Sequence, residues 1–189
     1  MKLNYILSVV LACLIFSCDE LEELIDKEVT ITTSYTDAVT INIASEADPE
    51  TDVNFRNGGM FDFLNNSDIT EVIGTPEQIK KIEIVSIKYE YKDFSGNVDA
   101  QALNSFFFIA TGFMNGESFP VQNEKIAEAD LLGSVFNLTG DFSRVNNFIT
   151  EGKLFSYLYE GNVSHNPAFF RVEITVTAKL TVEVNLDDI

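Results

Sequence analysis

Residues 169–186 read FFRVEITVTAKLTVEVNL, and an apolar side chain falls at nearly every second position of that stretch. A period of two is the repeat of a β-strand, in which successive side chains point to opposite faces, and no helix reproduces it. Val172, Ile174 and Val176 share one face, and Leu180, Val182, Val184 and Leu186 keep the same parity. A strand this long has to lie in a sheet with one buried face. An interior break is expected near Ala178 and Lys179, where the strand would bend across one sheet or pass into a second.

Shorter stretches carry the same period. Val29 and Ile31, then Val39, Ile41 and Ile43, alternate with Thr and Asn, and Ser34 to Ala38 between them suit a turn, so the pair is predicted to be a hairpin. Residues 45–60, rich in Asp, Glu, Asn and Gly, are predicted to be a loop. Lys81 to Lys92 form a strand whose apolar phase slips by one residue at Val85-Ser86, which calls for a β-bulge or for burial on both faces. Phe106 to Phe113 are nearly all apolar and suit a central strand, Lys153 to Glu160 a further strand, and Gly161 to Pro167 a turn. Helical signals are few. A capping box with proline at the first helical position stands at Thr75 to Gln78, residues 67–73 suit one turn, and Asp141 to Glu151 place Phe142, Val145, Phe148 and Ile149 at helical spacing. Phe119 to Asp130 fit neither pattern cleanly. Seven or eight strands with one to three short helical turns predict a mainly β protein, an antiparallel β-sandwich, with an immunoglobulin-like winding as one option and a β-barrel as the alternative.

Composition narrows the chemistry. Sixteen Phe and a hydrophobic fraction of 46% mark a chain able to fill a core. The two cysteines, Cys13 and Cys18, both lie at the N-terminus, so the body has no thiol for a disulfide, a zinc site or a nucleophile. With 30 acidic against 12 basic residues the net charge is -18, which repels phosphate backbones and argues against nucleic acid as a partner. His165 is the only histidine, which rules out a multi-histidine metal centre. Its neighbour Ser164 gives no geometry for a nucleophile. Asp48, Glu50 and Asp52 have an alternating spacing that could offer oxygen ligands to calcium, without the glycine and distant glutamate of an EF-hand. No other cofactor is indicated, and no glycine pattern suits a nucleotide. Tyr89, Tyr91, Tyr157 and Tyr159, with Phe94, could form an aromatic platform for a ligand on a sheet face, and core packing would explain them equally.

The N-terminus is an address. Lys2 precedes the uncharged apolar run Tyr5 to Phe16, the layout of a secretory signal, and acidic residues from Asp19 onward leave it short of the roughly 20 apolar residues a membrane span needs. The run ends in Leu14-Ile15-Phe16-Ser17-Cys18, which resembles the lipobox of bacterial lipoproteins. That resemblance implies cleavage before Cys18 and a diacylglyceryl group on its thiol. Asp19, Glu20, Glu22 and Glu23 resemble the acidic export signal that follows the cysteine in surface-exposed lipoproteins of the Bacteroidota type. The resemblance implies the outer membrane and its outer face. An aspartate directly after the cysteine also resembles the retention signal of enterobacterial lipoproteins, which leaves the periplasmic face of a membrane as the alternative. The expected division is a signal peptide over 1–17, a lipidated cysteine and acidic tether over 18–27, and a single β domain over 28–189. Removing residues 1–17 removes Lys2 alone among charged residues, leaving 11 basic against 30 acidic, a net -19.

The expected function is a lipid-anchored envelope protein, not an enzyme, whose β-sandwich has a structural role or binds another envelope protein or a polysaccharide. The alternatives are a carboxylate-dependent hydrolase and an accessory subunit of an outer-membrane uptake or secretion complex.

Overall fold

The computed structural model describes residues 26–62, 76–111, 115–152 and 154–185. Nine strands, β1 (Asp26–Ile43), β2 (Val53–Asp62), β3 (Ile79–Gly96), β4 (Gln101–Thr111), β5 (Asn115–Pro120), β6 (Glu124–Lys125), β7 (Val135–Asn137), β8 (Leu154–Val163) and β9 (Ala168–Asn185), are accompanied by α1 (Ile126–Leu132) and α2 (Ser143–Gly152) among the described residues. A single 3-10 turn at Pro76–Gln78 stands where the capping-box signal lies. The strands form two sheets, ordered β1-β9-β3-β7 and β2-β8-β4-β5, with the two-residue β6 beside β4. All pairings are antiparallel. The predicted antiparallel β-sandwich is the architecture, and the two sheets do not close into a barrel.

The winding follows from which strands meet. Leaving out β6, the first strand pairs with the last, the second with the last but one, the third with β7, and β4 with β5. A long hairpin rolled up on itself produces that nesting, and it is the jelly-roll topology. An immunoglobulin domain instead sets its first two strands side by side, whereas β1 here pairs with β9 and β2 with β8.

Three sequence expectations change. Ser34 to Ala38 are not a turn, because β1 runs unbroken beside β9 from Asp26↔Asn185 to Ile43↔Ala168. The polar residues are strand residues whose hydroxyls meet across the ladder: Ser34 Oγ lies 2.9 Å from Thr177 Oγ1, and Thr36 Oγ1 lies 2.9 Å from Thr175 Oγ1. No break occurs at Ala178-Lys179 either, since these residues stay in register with Thr33 and Thr32. Within residues 45–60 the loop ends at Asp52, and Gly58-Gly59 sit inside β2. A Cβ on Gly58 would meet the Tyr157 carbonyl, and one on Gly59 would meet the Asp37 carboxylate and the Tyr157 hydroxyl, so close packing rather than a turn demands glycine there. The helical turn expected over 67–73 and the segment 18–25 lie outside the described residues.

The phase slip in β3 is a bulge: the register with β9 shifts between Ile84 and Ser86, leaving Val85 exposed between buried Ile84 and Ile87. Replacing Val85 by Thr should therefore change unfolding free energy by less than about 0.5 kcal/mol, whereas Ile84→Asp should prevent accumulation of folded protein. Urea denaturation followed by circular dichroism distinguishes the two.

The outer edge of β3 is covered piece by piece. In α2, Thr150 Oγ1 accepts the Ile82 N–H at 3.1 Å and Asn146 Oδ1 accepts the Ile84 N–H at 2.7 Å. Next along the edge, β7 pairs with Lys88 to Glu90, and Asp130 of α1 accepts the Phe94 N–H at 2.9 Å. Both helices thus occupy a site where an open strand edge would otherwise invite another chain. Asp141 caps α2 by accepting the Ser143 N–H and hydroxyl, each at 2.8 Å, and these bonds, the backbone one foremost, hold its carboxyl below the ordinary range.

Between the sheets lie Ile41, Ile82, Ile87, Val172 and Ile174 from one side and Phe55, Phe61, Phe107, Phe155 and Tyr159 from the other. Tyr159 stacks on Phe107 at 4.7 Å and packs on Phe55 at 4.8 Å, joining β8 to both neighbours.

Candidate functional site

The four tyrosines expected as a surface platform are core residues. Tyr89, Tyr91, Tyr157 and Tyr159 are all buried, because they share parity with the apolar residues of β3 and β8. Their hydroxyls are satisfied inside: Tyr91 and Tyr159 meet at 2.9 Å, and Tyr157 donates to Asp37 Oδ2 at 2.8 Å. Burial pushes all four hydroxyls up, Tyr159 to about 12, so these groups stay neutral. The aromatic platform is thus corrected to an interior seam, with Phe94 half-buried at its rim.

Asp48, Glu50 and Asp52 do not gather round a cation site. They lie exposed in the loop after β1, where Asp48 Oδ1 accepts the Glu50 N–H at 3.0 Å and its carbonyl accepts the Thr51 N–H at 3.1 Å. Among the described residues no three His, Cys, Asp or Glu side chains converge, so the calcium candidate has no geometric support. Cys18, Asp19, Glu20, Glu22 and Glu23 lie outside the described residues. Ser164 Oγ does reach His165 Nδ1, at 2.8 Å, but it also accepts the Gln101 N–H at 3.1 Å, and among the described residues no carboxylate hydrogen-bonds the imidazole. Asn166 next to it is buried and ties the turn to the loop after β1, donating to the carbonyls of Asp48 and Thr51 and accepting the Glu46 N–H at 2.7 Å.

The surface with the most to offer a ligand is the outer face of the β2-β8-β4-β5 sheet. In β4, Phe107 and Ile109 point inward, which turns Phe106 and Phe108 outward and leaves both half-buried. The register between β4 and β8 shifts between Leu103 and Phe106, and within that irregularity Asn104 adopts φ 49. Gly161 opposite permits the approach, since a Cβ there would meet Ser105. Asn104 is thereby exposed beside Phe106.

Around them the register sets complementary groups opposite each other. Asn54 faces Asn162 and Arg56 faces Glu160 across β2 and β8. Asn162 Nδ2 donates to Asn54 Oδ1 at 2.7 Å, and Arg56 Nε stands 3.4 Å from Glu160 Oε2. These six groups, Phe106, Asn54, Asn104, Asn162, Arg56 and Glu160, line a cleft of about 370 Å³. A second cleft of about 370 Å³ lies on the other side of β2 and shares Asn54 and Arg56 with it. Asn57, in that second cleft, donates to the Thr40 carbonyl at 2.6 Å. Each amide in the Asn54–Asn162 pair uses one group on the other, leaving Asn54 Nδ2 and Asn162 Oδ1 to meet a ligand. The opposite sheet presents a different outer face of Thr, Lys and Glu, tied by pairs such as Lys81–Glu83 at 2.6 Å.

Sequence reasoning missed this cleft. The run FFFIA hides which phenylalanines face out, and the paired Asn residues are far apart in sequence, so only strand register brings them together.

No protein-family model matches the chain, and no curated protein matches it. Solved structures do. A decameric BFDV capsid protein is matched with TM-score 0.38 and 11% identity, over 82% of this chain and 99% of that one. The turnip yellow mosaic virus structure is matched with TM-score 0.38 and 8% identity, over 84% of this chain and 96% of that one. A structure of desmodium yellow mottle tymovirus is matched with TM-score 0.31 and 9% identity, over 82% of this chain and 84% of that one. Likeness at this level carries no argument, and the jelly-roll winding rests on the strand pairings alone.

Proposed function

We propose that this chain is a lipid-anchored cell-envelope protein whose sandwich binds a hydroxyl-rich polymer, an envelope polysaccharide, along the outer face of the β2-β8-β4-β5 sheet without changing it chemically. The observation that carries the reading is the cleft around Phe106. An outward aromatic ring offers an apolar face to the C–H side of a sugar ring, and amides offer donor and acceptor together, which suits hydroxyl groups. The cleft is shallow and polar, as a surface for a polymer needs to be.

The absence of a paired acid favours binding over hydrolysis. Glycoside hydrolysis uses two carboxyl groups flanking the scissile bond, and this cleft is lined by one, Glu160, which faces Arg56. The lipobox at Leu14 to Cys18 and the acidic residues behind it support the anchor, with the outer membrane's outer face as the address. Strand geometry fits that arrangement. Asp26 of β1 lies beside Asn185 of β9, whereas Asn54 and Asn162 lie toward the other end of the sandwich. The 18 residues of β1 rise about 3.3 Å each, so the tether would enter roughly 55 Å from the far end of that strand.

Titration calorimetry against a panel of soluble envelope and plant polysaccharides tests the reading. At least one should bind saturably, and Phe106→Ala should weaken it about tenfold, which corresponds to about 1.4 kcal/mol. Undiminished binding by that variant, or no binding across the panel, contradicts it.

A further inference from the structure

A second surface goes beyond that reading. The helix α1 buries Ile126 and Ala129 against the sandwich and ends at Gly133, whose φ of 60 lets its N–H turn back to the Asp130 carbonyl at 3.0 Å. Its last two residues do the opposite of what packing favours: Leu131 is 85% and Leu132 69% exposed, and Val135, just beyond the turn, is 51% exposed. Isolated surface leucines need no explanation, but here three large exposed apolar side chains fall within five residues. One of them, Leu132, lines a cleft of about 280 Å³ together with Gln101, Glu124, Glu128, Ser134 and Phe136. It shares no lining residue with the cleft around Phe106.

Charge says what would fill it. Glu124 and Glu128 line the cleft with a single cation, Lys125, whose ammonium leans 3.8 Å from Asp99 outside it. The whole chain, at -18, adds a field of the same sign. A cation entering the cleft would meet both carboxylates, while apolar neighbours on the same ligand would cover the leucines. The patch also stands at the end of the sandwich away from Asp26 and Asn185, since Asp130 of α1 holds Phe94 near the last residues of β3.

We infer that the α1 cleft and its leucines dock a segment of another protein that carries Lys or Arg flanked by apolar side chains. A basic residue seats between Glu124 and Glu128, and the apolar residues lie on Leu131, Leu132 and Val135. This site is independent of polysaccharide binding.

Fluorescence anisotropy of the full chain with three short synthetic peptides tests it: one of Leu and Arg, one of Leu and Glu, one of Ser and Arg. The Leu/Arg peptide should bind saturably and at least about tenfold more tightly than either of the others. Leu131→Ser with Leu132→Ser, and separately Glu124→Gln with Glu128→Gln, should each weaken it about tenfold, while Phe106→Ala leaves it unchanged. Should either pair lower the melting temperature, Leu131→Ser alone and Glu128→Gln alone read the same contacts on folded protein. Equal binding of the Ser/Arg peptide, no saturable binding, or affinity unaltered by these substitutions overturns the inference.

Discussion

Replacing Cys18 by Ala is expected to abolish labelling by a radioactive fatty acid and to move the protein from the membrane fraction to the soluble one. Each buried methylene of an acyl chain contributes about 0.8 kcal/mol, and a single chain holds a protein only reversibly, so two or more chains on one residue decide between attached and free. Among the described residues no helix is long and apolar enough to cross a membrane. A net charge of -18 also gives no electrostatic attraction to an anionic bilayer. Cys18 would be the one cysteine of the processed chain, since Cys13 lies within residues 1–17, so its thiol has no partner within the same molecule. Membrane association and labelling unchanged in Cys18→Ala would end the proposal of a lipid anchor.

The second large effect concerns the core. Phe170→Ala should lower the free energy of unfolding by about 3–5 kcal/mol, measured by urea denaturation. Phe170 is fully buried in β9, the strand that bonds to both β1 and β3, and its ring meets Tyr91 at 5.8 Å and Phe55 at 6.2 Å. It therefore joins three strands and both sheets, and truncation leaves a cavity between them. Residues 26–185 contain no cysteine, so no disulfide limits the unfolded chain, and the loss falls on a total of only about 5–15 kcal/mol. A change under about 1 kcal/mol would show that Phe170 is not where the two sheets meet.

What the chain reveals without coordinates is mostly local. The length of β9 is legible because its apolar residues keep one parity from Val172 to Val182, and the bulge at Val85 is legible because that rule slips there in β3. The helix α2 is readable from Val145 and Ile149 with Asp141 as its cap. The middle of β1 is not, because Ser34, Thr36 and Asp37 have turn chemistry until β9 supplies Thr175 and Thr177 opposite them. Gly58-Gly59 misleads for a related reason: the signal of a turn is also the signal of a close approach, and only Tyr157 and Asp37 decide between them. Strand order is a property of pairing between residues more than a hundred positions apart, such as Asn54 with Asn162, and periodicity within a segment carries no record of it. The candidate cleft is made of such pairs. For that reason the acid triplet at Asp48 to Asp52 and the tyrosines stand out in sequence, while Phe106, Asn54 and Asn162 do not.

The most direct test falls on that cleft. Hydrogen–deuterium exchange of the full chain, with and without the polysaccharide that binds best in calorimetry, reads the contact surface directly. Slowed exchange is expected in residues 103–108, 54–57 and 158–162, with the α1 segment unchanged. Protection confined to any other part of the sandwich, or none at saturation, would contradict it.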